Sequence, residues 1–167
     1  MSRFYEDMEI GDVYRSRLGR TITDVDNIWF TLLSMNTNQI HFNEVYAART
    51  EFRHMLVDSA LTLSVVLGLS VADTSENAAA NLGWNEIRLP APVYAGDTLW
   101  AESEILSKRE SKSRPQVGIV SLRTRGLNQR GATVIEFTRT IMLFKRDAAE
   151  VTDVFPEPTS DWTVGAA

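Results

Sequence analysis

The order of apolar and polar positions divides the chain into a helical first half and a strand-rich second half, with the change near Asn81. Val13–Gly19 reads as a short strand. Thr23 followed three residues later by Asp26 is a helix start of the capping-box kind. Val25, Ile28, Trp29, Leu32 and Leu33 then share one face of a helix predicted from about Asp24 to Met35. Asn36–Phe42 breaks it with turn-forming residues. A short helix over Glu44–Arg49 follows, and Asp58-Ser59 introduces a long apolar helix, Ala60–Ala72. Its Ala60, Leu61, Leu63, Val65, Val66, Leu67, Leu69 and Val71 leave no polar face, so it is expected to be surrounded on all sides.

The second half supplies the cover. Leu82–Leu89, Thr98–Leu106, Val117–Arg125 and Thr133–Phe144 are extended segments, separated by turn signals at Pro90-Ala91-Pro92, Ser111–Pro115 and Asn128–Gly131. A strand of about ten residues runs to roughly 33 Å, long enough to curl around a helix. Helices segregated from strands predict an α+β fold rather than alternating parallel units. The simplest such fold is a strongly curved antiparallel sheet wrapped on one buried helix.

Composition narrows the function classes. With 167 residues, 44% hydrophobic and 23% charged, the chain fits one soluble globular domain. A net charge of -5 does not suit a nucleic-acid binder, which needs a concentrated positive surface. The absence of cysteine removes disulfides, thiolate chemistry and Cys-ligated metals together, and leaves two histidines, His41 and His54. The first dozen residues are acidic and amphipathic, unlike a secretory signal, and Ala60–Ala72 is too short to span a bilayer. The expectation is a cytoplasmic protein with neither nucleic acid nor membrane as partner. After Arg146, acidic residues, Pro156 and Pro158 dominate, so 1–146 is expected to be the domain and 147–167 a tail.

No dinucleotide, Walker A, nucleophile-elbow or zincin motif is present. Neither histidine has a second ligand at helical spacing, so no metal site is expected. The segment Asn36-Thr37-Asn38-Gln39-Ile40-His41 puts an imidazole among amides and a hydroxyl at a break between helices, where function often sits. The plainer alternative is that Asn36 and Asn38 cap helix ends and His41 packs beside the next helix.

Leu33–His41 resembles the signature of MaoC-like dehydratases, the (R)-specific enoyl-CoA hydratases. That signature runs glycine, Asp, any residue, Asn, Pro, an aliphatic residue and His. Asn38, Ile40 and His41 agree with it, while Met35 replaces the glycine, Asn36 the catalytic Asp and Gln39 the proline. Phe52–Thr62 resembles the family's approach to its central helix, and Leu89–Asp97, with Val93, Tyr94, Gly96 and Asp97, its Pro-Val-aromatic-x-Gly-Asp turn. The likeness covers about Glu9 to Lys145. It implies a single hot-dog domain, a long central helix wrapped by a curved antiparallel sheet, and reversible syn addition of water to a 2-enoyl thioester.

The same resemblance implies roles. His41 is the principal acid/base. An amide cannot accept a proton at neutral pH, so either His41 works alone with Asn36 holding the water or another carboxylate supplies the missing charge. Asp58 is either a carboxylate that supplies the missing charge or a plain helix cap. The N–H of Ser59, at the family's glycine position, faces the developing oxyanion, and Asn38 and Ala60 contact substrate. Lys108, Arg109, Lys112 and Arg114 form a cationic tip that suits coenzyme A phosphates, or is simply a solvated loop. No cofactor is implied beyond the coenzyme A of the acyl-CoA substrate. The variant loop, with Asn81–Trp84 and Glu110–Pro115, resembles the subgroup acting on itaconyl-CoA or mesaconyl-CoA. Two other readings stand beside it: a hot-dog thioesterase using Asp58, and a non-catalytic acyl-CoA-binding subunit. Open sheet edges and one incompletely covered helix face imply a homodimer.

Overall fold

The computed structural model of the protein describes residues 3–148 and 154–160; the rest of the expected tail, 149–153 and 161–167, lies outside the described residues. Six strands, β1 (Val13–Arg15), β2 (Arg20–Thr21), β3 (Ala78–Arg88), β4 (Thr98–Glu110), β5 (Val117–Asn128) and β6 (Thr133–Phe144), form one antiparallel sheet ordered β1-β4-β5-β6-β3, with β2 also on β4. Three helices, α1 (Asp24–Leu33), α2 (Glu44–Ala47) and α3 (Ser59–Thr74), all precede β3, and 3-10 turns cover Tyr5–Asp7 and Gln39–His41. This is the α+β arrangement the sequence predicts.

Period-2 burial along β6 places Ile135, Phe137, Ile141 and Leu143 on the concave face. There Leu61 and Val66 of α3 join Leu99, Ala101, Ile135 and Phe137 in one core cluster. Gly126 on β5 allows the close approach, because a Cβ there would lie 2.5 Å from Val66. A second cluster, Ile105, Val120, Leu122, Ile141 and Leu143, is closed at the other end by Tyr5 and Met8. Among the described residues, no helix is long and apolar enough to cross a membrane.

Three expectations are corrected. The sheet covers α3 on one side only: Ser59, Ala60, Ser64, Gly68, Val71 and Ala72 are exposed, and Ser64, Gly68 and Ala72 line a groove of about 730 Å³ together with Arg17, Leu18 and Arg20. The apolar stripe of α1 points outward, with Val25, Trp29, Leu32 and Leu33 all exposed, while Asn27 and Thr31 face inward. Lys108 and Arg109 belong to β4, which runs past a register shift after Ile105 and pairs them with Val120 and Ile119. Elsewhere the differences are at boundaries: β3 begins at Ala78, β5 runs on to Asn128, and the first predicted strand stops at Arg15, with β2 following beyond its expected end.

Candidate active site

The site is assembled where α1 ends and α3 begins. At its start, α1 is fixed by Thr23, whose Oγ1 accepts from the Asp26 N–H while Asp26 Oδ2 accepts from the Thr23 N–H. Those bonds from Thr23, with Arg20 alongside, hold the Asp26 carboxyl below its usual range. At its end the Met35 N–H donates to the Leu32 carbonyl (3.3 Å) and the Asn36 N–H to the Thr31 carbonyl (2.9 Å), a Schellman closure. This closure needs a left-handed residue, and Met35 takes it at φ 53°. The family's glycine at this position therefore has a backbone reason, and methionine adopts the same turn at a steric cost.

The closure aims Asn36 at α3. Its Nδ2 donates to Asp58 Oδ2 (2.6 Å), and its Oδ1 accepts from the Asn38 N–H (2.9 Å). A carboxylate only accepts and an N–H only donates, so the amide orientation is fixed by its partners. Asp58 is buried at the N-cap of α3. Its Oδ1 accepts from the N–H groups of Ala60 (2.7 Å) and Leu61 (3.3 Å). Capping is thus observed, and the second oxygen holds Asn36.

His41 ends the 3-10 turn, with Nδ1 2.9 Å from the Leu56 carbonyl. The carbonyl has no proton to give, so Nδ1 carries the hydrogen and Nε2 of the neutral ring keeps a lone pair. One residue the sequence reading missed lies underneath. Asn27 donates through Nδ2 to the carbonyls of His41 (2.8 Å) and Leu56 (2.9 Å), and its Oδ1 accepts from the Asp58 N–H (2.8 Å). The sequence signal for it is slight, a polar residue directly before Ile28 and Trp29 of the apolar stripe.

Asn36, His41, Asp58, Ser59 and Ala60 line one open cleft of about 470 Å³, with Phe30 and Ser34 on its wall. Ser59 also borders a neighbouring cavity of about 320 Å³ lined by Phe52, Leu56, Thr62 and Leu89–Val93. Of the first N–H groups of α3, those of Ala60 and Leu61 are taken by Asp58, which leaves the Ser59 N–H as the open donor between the two spaces. The motif turn beside them depends on Gly96 at φ 93°, with Asp97 accepting from the Tyr94 N–H.

Two groups of expected site residues are placed elsewhere. Asn38 faces its own backbone, accepting from the Ile40 N–H as a cap, which is the plainer of the two readings. The cations lie at the far end of β4: from Leu99 to Lys108 is roughly 30 Å at the rise of a strand. Lys108 bonds Glu9 and sits over the Tyr5 ring, Arg109 donates to the Glu110 carbonyl, and Arg114 reaches Met142. Within one chain Lys108, Arg109, Lys112 and Arg114 do not meet the cleft, because the long strand that carries them runs away from it.

A helix capped by a buried aspartate at the edge of a cleft, a sheet wrapped on one side of it and a polar loop ending in histidine define a MaoC-like hot-dog domain. The family model described as mesaconyl-CoA hydratase matches residues 1–162, and the chain belongs to that family. It is 35% identical over 147 residues to a mesaconyl-CoA hydratase of Cereibacter sphaeroides, covering 88% of this chain and 43% of that protein. It is 30% identical over 143 residues to an (R)-specific enoyl-CoA hydratase of Rhodospirillum rubrum, covering 84% of this chain and 91% of that one. A solved putative MaoC domain protein dehydratase from Chloroflexus aurantiacus superposes with a TM-score of 0.83 at 32% identity, over 96% of this chain and 44% of the other. The chain thus spans less than half the length of the mesaconyl-CoA hydratases it matches.

Proposed function

We propose that the protein adds water reversibly to a 2-enoyl-CoA, with a branched or dicarboxylic acyl group such as mesaconyl or itaconyl. The observation that carries this reading is the fixed tautomer of His41, which presents a basic Nε2 in the same cleft as the open Ser59 N–H. Family membership supports the acyl class, and the apolar cavity beside Ser59, with Leu56 on its wall, suits a short or branched chain.

The geometry supports a single acid/base. His41 Nε2 takes a proton from water as the water oxygen bonds to C3. The C2–C3 π pair moves toward the thioester, and the charge on its oxygen meets the Ser59 N–H and the positive end of α3. The imidazolium then returns its proton to C2. Syn addition places both new bonds on one face, so one imidazole on that face serves both transfers. Asn36 contributes its remaining hydrogen-bonding positions to hold the water. Losing an oxyanion donor of this kind costs roughly 3 kcal/mol of transition-state stabilisation.

The thioesterase reading needs Asp58 free to act on the thioester or its water. Here Asp58 is 4% exposed and both oxygens hold N–H donors, which favours the hydratase. The outward stripe of α1, the open face of α3 and the edge strand β3, with Leu82, Trp84 and Ile87 exposed, support a second copy as partner in a homodimer. Such a copy also brings a second cationic tip, Lys108–Arg114, as a source of phosphate contacts for a coenzyme A bound at the cleft.

Purified protein with crotonyl-, mesaconyl- and itaconyl-CoA tests the reading. Loss of enoyl absorbance without free thiol is expected, fastest on a branched or dicarboxylic substrate. Thiol release identifies a thioesterase, and binding without either change identifies a non-catalytic subunit.

A further inference from the structure

We infer that Asn27 is the positioning residue for His41, an inference that rests on the hydratase reading for its consequence in turnover. Asn27 is 3% exposed and faces inward from α1, where the helix turns its apolar stripe to solvent. Its amide spends both kinds of hydrogen-bonding capacity on the backbone of the site. Two N–H···O bonds hold the carbonyls of His41 and Leu56, and Oδ1 holds the Asp58 N–H. The Leu56 carbonyl is the same oxygen that receives His41 Nδ1–H.

One side chain therefore fixes the acceptor that selects the His41 tautomer, the backbone from which His41 projects and the residue that holds Asn36. These groups come from segments 14 to 31 residues away in the chain. Besides Asn27, the Leu56 N–H to Ile40 carbonyl bond also ties the His41 turn to the Leu56 segment. An alanine at position 27 would strand the His41 carbonyl and the Asp58 N–H, and would leave the Leu56 carbonyl with His41 Nδ1–H alone. The residue holds the imidazole through its acceptor, as partners behind metal-bound histidines do, where substitution costs about 10- to 100-fold.

Asn27→Asp is the informative variant, because it keeps the size and the acceptor but removes both donors. With only two histidines, 15N labelling resolves both rings, and His54→Gln assigns them. In substrate-free wild type, His41 is expected as the Nδ1–H tautomer. In Asn27→Asp, the Nε2–H form is expected to grow, and kcat to fall by about 10-fold or more with KM nearly unchanged. A wild-type tautomer and kcat in a folded Asn27→Asp protein overturns the inference. A second measurement needs no variant: both Nδ2 protons of Asn27 are expected to exchange slowly with solvent, and exchange as fast as for exposed Asn81 overturns it. The tautomer is read without substrate. A tautomer that responds in a protein without hydratase turnover keeps the positioning role while the proposed reaction fails.

Discussion

The two ends of α3 each bury a charge, and they do so in opposite ways. At the N-terminus Asp58 faces the positive end of the helix and receives N–H bonds from Asn36, Ala60 and Leu61. Near the C-terminus Arg139 of β6, 3% exposed, faces the negative end and donates through Nη2 to Ser70, Thr74 and Ser75. Its Nε has no partner, no carboxylate pairs with it among the described residues, and burial pushes its guanidinium down to about 10. Both charges match the helix dipole. Only the first is wired to side chains that line a cleft, so removing it disturbs chemistry, whereas removing the second relieves a desolvation cost.

The largest effect that separates the two ends is expected from His41→Ala. Turnover of an enoyl-CoA falls by about 100-fold or more with the fold intact, measured by enoyl absorbance beside thermal unfolding. Next, Asn36→Ala is expected to lose about 10- to 100-fold in kcat, through the water it holds. Asp58→Asn loses less than that, because the asparagine oxygen keeps the helix cap, and Asn36 gives up only its bond to the second carboxylate oxygen while the Asn38 N–H still holds its Oδ1. The reverse order would make Asp58 the working carboxylate and undo the single-histidine scheme. At the other end, Arg139→Met is expected to leave turnover unchanged and the protein neutral to about 2 kcal/mol more stable by urea unfolding. Ser70 and Thr74 keep their own bonds to helix carbonyls, so the change strands neither hydroxyl. The smallest effect is Met35→Gly. It removes the strain at φ 53° and is expected to stabilise by about 1 kcal/mol in the same unfolding measurement, with Asn36 still in place.

Much of the fold was legible because burial is written in periodicity. The alternation Val134 to Phe144 predicts β6 at its observed bounds, and an apolar run predicts α3, whose Leu61 and Val66 side enters the core. β3 was shortened because Ala78, Ala79 and Ala80 carry no strand preference of their own; their strand is made by pairing with β6. The end of β4 read as a loop because its residues are charged, and again a neighbour, β5, decides. The stripe of α1 shows a third limit. Spacing says which residues share a face, but not whether that face turns inward. Here the inward choice is made by Asn27 and Thr31.

Within the site, His41, Asn36, Asp58 and Ser59 were found from local motifs and do meet in one cleft. Asn27 left no motif, because its partners are backbone atoms of distant segments, and such bonds place no demand on their side chains. The cations at 108–114 lie apart from that cleft within one chain. Charge contrast along a sequence marks them out, yet distance along a strand sets what they can reach.

One measurement tests the central claim, that His41, beside the N-terminal end of α3, moves a proton onto carbon. A single turnover of mesaconyl-CoA in D2O, followed by NMR of the product, should give an intact thioester with a new hydroxyl at C3 and one deuterium at C2. Free acid and free coenzyme A thiol, with no deuterium on carbon, would contradict it.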